Sequence, residues 1–533
     1  MRDAPHTHRS KHTHVGLAHD ITPYSSRYNS KTALTKHKIP KDGAPADAVY
    51  QMLKDELDLD GRPNLNLASF VGTYMERQAE QLMIENLSKN MSDVDEYPAM
   101  MDMHARCVSI IADLWGAGKH GERAIGTATT GSSEAIQLGG LAMKRRWQEK
   151  RMKEGKDYSK PNIIMGANAQ VALEKFARYF EVEGRILPVS TGSSYRLDPK
   201  LVKENLDENT IGVFVILGST YTGHYEPVEE ISNLLDEFEK ETGHDVPIHV
   251  DGASGGFIAP FAYAGAGFKW DFTLPRVKSI NVSGHKFGLV YAGVGWIIWR
   301  DESMLPKHLV FELHYLGGTE ESYTLNFSRP GAQIIAQYFL LEHLGFNGYR
   351  SIMEGALANA RLLSRALEAT GWYRCVSDIH RRKGIYHYEP NVEAWCDSER
   401  SDAYNAGLPV VAFTFSDEFK KEHPDIKQVS VSNLLRAKQY IVPNYPLPPD
   451  EEGTEILRVV VRESHTLDLI DRLIADICVV TQALIDNQVS NINAWQPLNA
   501  AGNSIEKIHS SLGVQDTSEA HRPMDQGVHR AVC

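Results

Sequence analysis

The chain has 533 residues, with 56 Lys and Arg against 69 Asp and Glu, for a formal net charge of −13. That length gives room for more than one domain, and 42% hydrophobic, 9% aromatic and 23% charged residues exclude a disordered or fibrous chain over most of it. The acidic balance, without a long Lys/Arg stripe, argues against a general nucleic-acid binder.

Residues 1–45 are polar and carry His6, His8, His12, His14 and His19 without apolar periodicity, which reads as a solvated arm rather than a metal site. Residues 46–110 show apolar positions at helical spacing. From residue 124 to about 300, short β-rich runs alternate with helical stretches; 124–127, 162–165, 211–217, 247–250, 279–282 and 296–299 are expected to be strands. Such alternation predicts an α/β fold with a largely parallel sheet covered by helices, and ligands at its C-terminal strand ends. Helical patterns over 332–344 and 352–370 lead into a smaller α+β unit with strands at 410–415 and 457–461 and helices at 431–438 and 467–485. The expected domains are thus 111–346 (large) and 347–486 (small, with a polar surface insertion at about 380–407), followed by a loose tail over 487–533.

Cys107, Cys375, Cys396, Cys478 and Cys533 form no CxxC pair, so neither a disulfide framework nor a thiolate zinc site is expected, no metal is called, and a reducing, cytoplasmic setting fits. The longest apolar runs fall short of the roughly 18 residues a membrane span needs.

Of four glycine-containing motifs, three carry chemistry. Gly116–Gly121 fits the GxGxxG pattern of dinucleotide sites, but a helical segment precedes it and a strand follows, so it is expected to be a helix-ending loop. Thr129–Ala135 follows a strand and opens a helix, which suits either a phosphate cradle or a simple N-cap. His249–Gly256 sets Asp251 after an apolar strand, where it could hold a proton on a heteroaromatic nitrogen or serve a turn. Ser279–Gly288 sets Lys286 at the end of another strand, as an amine nucleophile or a surface lysine. Together these supply an anion site, a pyridinium partner and a reactive amine, the parts pyridoxal phosphate requires.

In these motifs, and in Phe176–Tyr179, Thr220–Gly223, Leu274–Ser279 and Asn326–Pro330, the sequence resembles the pyridoxal-phosphate-dependent decarboxylases of the aspartate-aminotransferase fold (fold type I), and within them the glutamate decarboxylases. The resemblance runs from about Asn66 to Asp476. It implies Lys286 as the amine that anchors the cofactor and Asp251 as the carboxylate facing the pyridine nitrogen. Ser132, Ser133 and His285, with Ser328 of a neighbouring subunit, are implied around the phosphate, and Ser283 in cofactor binding. Gln170 is implied over the ring, Ala253 under it, and Thr220 near the ring oxygen or adjacent carboxyl groups.

For the substrate, Ser69–Phe70 stands where the family has Thr–Phe, and Asp93 precedes Glu96–Tyr97–Pro98 at the family spacing; Ala99 stands where bacterial members have Gln. Arg458 matches the arginine that contacts the α-carboxylate, against the alternative of a structural ion pair, whereas Arg462 is expected to be structural. Tyr315 falls in a segment resembling the mobile active-site loop and is implied in water exclusion and proton delivery.

The implied reaction is decarboxylation of L-glutamate to 4-aminobutyrate and CO2 by a homodimer or higher homo-oligomer with shared sites. The alternatives are decarboxylation of aspartate or an aromatic amino acid, or an aminotransferase or lyase on the same fold. Calmodulin binding, which needs a basic amphipathic segment, is not expected of a tail that runs Trp495-Gln496-Pro497.

Overall fold

A computed structural model describes residues 37–41, 43–118, 121, 123–313, 320–386, 396 and 398–486. Residues 1–36 of the expected His-rich arm, Tyr315 and the expected tail beyond residue 486 therefore lie outside the described residues. The chain divides into two units, one of them residues 66–486. In the other, the described residues carry an α-helix, Ala46–Leu57, and a 3-10 turn, Pro63–Leu65.

Unit 66–486 is built on a seven-stranded sheet. Its strands are β1 (Ile125–Thr129), β2 (Asn162–Gly166), β3 (Glu183–Leu187), β4 (Thr210–Ile216), β5 (Ile248–Asp251), β6 (Val277–Val282) and β7 (Gly295–Trp299). They lie in the order β1-β7-β6-β5-β4-β2-β3; β3 through β6 run parallel, and β7 runs antiparallel to both its neighbours. Every residue of β2, β4 and β5 is buried, as expected of parallel strands covered on both faces. The sequence reading places these strands within a few residues but misses β3, an edge strand whose Glu-Gly-Arg-Ile-Leu run is largely exposed and has no apolar pattern.

The helical patterns at 332–344 and 352–370 are one element, Ala332–Ala369, interrupted at Gly345, whose φ of 57° a side chain would disfavour. A second sheet follows: β10 (Tyr373–Cys375), β11 (Val410–Phe415), β12 (Asn444–Pro446) and β13 (Glu455–Val460), all antiparallel, in the order β10-β11-β13-β12. A short hairpin of β8 (Phe311–Leu313) and β9 (Glu320–Ser322) lies before the long helix.

The segment expected to be a surface insertion starts in the interior. Arg381 is 1% exposed and pairs with Asp378 at 2.9 Å and Glu368 at 2.7 Å, and Ser401 and Asn405 are also buried. Glu368, Cys375 and His380 bring ligand-type atoms within 4.8 Å of one another. Arg381 already meets the Glu368 carboxylate, and burial pushes the Cys375 thiol well up, so this group is part of a buried, ion-paired polar network. Gly116, Gly118 and Gly121 all take positive φ just after helix Pro98–Leu114, the helix-ending loop expected of them.

Candidate active site

The parallel strands deliver their chemistry where they end. Asp251 is the last residue of β5 and 2% exposed; its Oδ1 accepts from the Ala253 N–H at 3.0 Å and from Asn281 Nδ2 at 2.9 Å. After β6 the chain turns through Ser283–His285 to Lys286, and the Ser283 N–H donates to the Ala253 carbonyl at 3.1 Å. Lys286 Nζ donates to Ser254 Oγ at 3.2 Å and lies 5.4 Å from the Phe70 ring centre. Burial lowers the Lys286 pKa, opposed by the Asp251 carboxylate and assisted by the Arg458 guanidinium, so the neutral, nucleophilic amine is more accessible than in water.

Helix Ser132–Lys153 opens directly after β1, and its N-cap, Gly131, has no side chain to cap the first-turn N–H groups. Glu134 lies in the first turn, as the N-cap alternative expects, and turns back to accept from the Thr130 N–H at 2.8 Å and from the Asn326 N–H at 3.1 Å. A Cβ on Gly131 would sit 3.2 Å from the His285 ring, so the glycine lets the helix end and the His285 turn meet. Burial, then the nearby Lys286, depresses the His285 pKa to about 4, keeping the ring neutral. Ser283 Oγ is fully buried and has no hydrogen-bond partner among the described residues. A buried hydroxyl left open beside uncapped helix amides and a desolvated lysine is the donor set an anionic, aldehyde-bearing cofactor needs, so the residues present fit pyridoxal phosphate.

Gln170 caps helix Val171–Tyr179 by accepting from the Ala172 N–H at 3.1 Å, which fixes its side chain. Ala253 is buried beside Asp251. Thr220 is exposed, and its carbonyl, not its hydroxyl, makes the described contact, accepting from Arg458 Nη1 at 2.6 Å.

Arg458, on β13, is 6% exposed. Its Nη2 donates to the Ala68 carbonyl at 2.5 Å and its guanidinium lies 5.1 Å from the Phe70 ring centre; among the described residues its Nε has no partner and no carboxylate pairs with it. The ion-pair alternative is therefore not what the structure contains. Burial pulls the Arg458 pKa down from a value high enough to leave it cationic. Arg462 holds the carbonyls of Ser69 at 3.2 Å and Val71 at 2.8 Å, a structural task, and the Gly72 N–H donates to the His285 carbonyl at 3.0 Å. Segment 66–73 is thereby laced to both sheets and carries Phe70 between Lys286 and Arg458.

The structure thus brings together Lys286, Asp251, Ala253, Ser283, His285, Ser132, Phe70 and Arg458. Ser133 is exposed at the helix opening. Ser69 Oγ accepts from the Val71 N–H at 3.1 Å, a turn contact. The described contacts of Asp93 are with Ser92 Oγ at 3.0 Å and within its own turn, beside Asn90, which bonds Ser328 and the Arg329 N–H. Ser328 itself is exposed. Sequence reasoning passed over Asn281, His249 and Ser254. The first two carry a readable signal, polar residues in apolar strands at the same alternation as Asp251.

The model for the pyridoxal-dependent decarboxylase conserved domain matches residues 41–383. The chain is 49% identical over 474 residues to the glutamate decarboxylase of Saccharomyces cerevisiae, covering 86% of this chain and 80% of that protein. It is 47% identical over 464 residues to glutamate decarboxylase 2 of Arabidopsis thaliana, covering 87% of each. Among solved structures, the glutamate decarboxylase of Lactobacillus brevis matches with a TM-score of 0.78 at 35% identity, over 87% of this chain and 98% of that one.

Proposed function

The chain belongs to the pyridoxal-dependent decarboxylases, among the glutamate decarboxylases, and from that premise we propose how its residues convert L-glutamate to 4-aminobutyrate and CO2. Pyridoxal phosphate, when bound, supplies an electron sink conjugated to the substrate's amino nitrogen. Lys286 would be the amine that anchors the cofactor; its desolvated setting supports that task. The Asp251 carboxylate keeps the pyridine nitrogen protonated. Ser132, Ser133, Ser283 and His285 surround the phosphate at the helix N-terminus, with Ser328 of a second subunit, and Gln170 and Ala253 flank the ring. Thr220 contributes at the edge of the ring and through its carbonyl to Arg458.

Arg458 would bind the substrate α-carboxylate and fix its orientation, so that the bound cofactor could act as electron sink for CO2 loss rather than for transamination. A guanidinium buried at this site without a carboxylate of its own is the observation that carries this reading. Ser69, Phe70 and Asp93 form the γ-carboxylate end of the site. Lys286 Nζ or the Tyr315 hydroxyl returns a proton to Cα, so each turnover consumes one. The enzyme works as a homodimer or larger homo-oligomer, in the cytoplasm. No helix among the described residues is long and apolar enough to cross a membrane.

Incubation of the holoenzyme with L-glutamate is expected to release CO2 and 4-aminobutyrate in equal amounts. Accumulation of 2-oxoglutarate instead would assign an aminotransferase, and equal turnover of L-aspartate would remove the substrate assignment.

A further inference from the structure

Behind Asp251 lies a chain of buried polar groups that the reaction course above does not use. Strands β5 and β6 pair in parallel with His249 opposite Ser279 and Asp251 opposite Asn281, so these four side chains share one face of the sheet. All are 2% exposed or less. Ser279 Oγ and His249 Nδ1 are 2.7 Å apart, His249 Nε2 and Asn281 Oδ1 2.7 Å, and Asn281 Nδ2 and Asp251 Oδ1 2.9 Å. Helix Ser132–Lys153 makes room for the imidazole with Gly139, where a Cβ would come within 2.6 Å of the ring.

The direction of every bond in this chain follows from one fixed end. An ionised carboxylate only accepts, so Asn281 turns its amide nitrogen to Asp251 and its oxygen to His249. His249 Nε2 must then carry the proton, and Nδ1 must accept from the Ser279 hydroxyl. The neutral ring this requires is the form burial enforces, with the His249 pKa pushed down to about 4. Facing the imidazole are Phe214 of β4 and Gly139 of the helix, neither charged; the charges nearby are Asp251 and, beyond it, Lys286 and Arg458. Asp251 Oδ1 is thus occupied by Asn281 and the Ala253 N–H, while Oδ2 has no protein partner among the described residues.

We propose that Ser279, His249 and Asn281 form a positioning chain that locks the Asp251 carboxylate by Oδ1 and presents Oδ2 to the cofactor's ring nitrogen. This rests on the pyridoxal phosphate reading of the pocket. The chain makes the Asp251 contact a pre-oriented one, so its contribution appears in binding any ligand with a protonatable nitrogen at that point and vanishes for one without it.

The test compares apoprotein affinities for pyridoxal phosphate and for its carbocyclic analogue, in which C–H replaces the ring nitrogen, in the wild type and in Asn281→Leu, His249→Phe, His249→Gln and Ser279→Ala. The wild type is expected to prefer pyridoxal phosphate by at least about tenfold, as a charge-assisted hydrogen bond supplies. Asn281→Leu and His249→Phe should bring the ratio close to one, Ser279→Ala should lower it less, and His249→Gln, which can still donate to Asn281 Oδ1, should restore it. General loosening of the fold would weaken both ligands alike and leave the ratio unchanged. An unchanged ratio in both Asn281→Leu and His249→Phe, or a wild-type ratio of one, overturns the proposal; should Asn281→Leu fail to fold, the His249 pair and Ser279→Ala decide. A wild type that binds neither ligand would instead remove the cofactor reading itself.

Discussion

Two clusters of buried charge lie within residues 66–486, and they treat their arginines in opposite ways. In the network at the start of the second sheet, Arg381 is paired with Asp378 and Glu368, His380 with Glu368 at 3.1 Å, and His224 with Asp378 at 3.1 Å. At the ends of β5 and β6, Arg458 is nearly as deeply buried but touches two carbonyls and two aromatic rings, and no carboxylate among the described residues answers it. Burying a cation costs several kcal/mol unless its charge is met. The first cluster meets that cost internally and stabilises the fold; the second leaves it open for an anionic ligand, as it leaves Ser283 Oγ open. Substitutions in the two clusters should therefore separate activity from stability in opposite directions.

The largest separation is expected for Lys286→Ala, which should reduce decarboxylation by more than about a thousandfold, as removal of a covalent-catalysis residue does, while the unfolding midpoint stays near that of the wild type. Retained turnover would break the assignment of Lys286. Next, Arg381→Met should destabilise the fold by about 3–5 kcal/mol in denaturant unfolding, because it strands Asp378 and Glu368, with turnover per folded molecule kept. Equal stability would mean the network is not a structural device.

His249 supplies a pH-dependent contrast. Its pKa is depressed in the folded state, from 6.5 to about 4. Between those values the unfolded chain binds more protons than the folded one, so stability is full above about pH 6.5 and falls on acidification toward pH 4. This single fully buried group accounts for a loss on the order of 3 kcal/mol, and apo His249→Phe should show a correspondingly shallower decline in unfolding free energy over that range. The smallest stability effect is expected for Arg458→Met: unfolding free energy within about 1 kcal/mol of wild type or higher, with kcat/KM for glutamate lowered about a hundredfold.

Much of this was legible in the sequence because it is local. The buried strands β2, β4 and β5 announce themselves as apolar runs, and Asp251 ends β5 while Lys286 lies in the turn after β6, so the candidate site could be placed from the strand ends. The unread parts depend on distant partners. Arg381-Arg382-Lys383 looks like surface by composition, and only the meeting of the long helix with the segment after β10 buries Arg381 against Glu368. The bond between Asn281 and Asp251 spans 30 residues and is set by strand register, which one sequence does not print. Strands β10 and β12 are three residues long, too short for any period to show.

The central claim is that the Lys286 amine anchors pyridoxal phosphate in this pocket. Borohydride reduction of the holoenzyme, followed by proteolysis and peptide mass analysis, tests it most directly, because reduction fixes the cofactor to whichever amine holds it. The account predicts one phosphopyridoxyl adduct per chain, on the peptide containing Lys286. An adduct on a different lysine, or none with Lys286 intact and the cofactor bound, would contradict it.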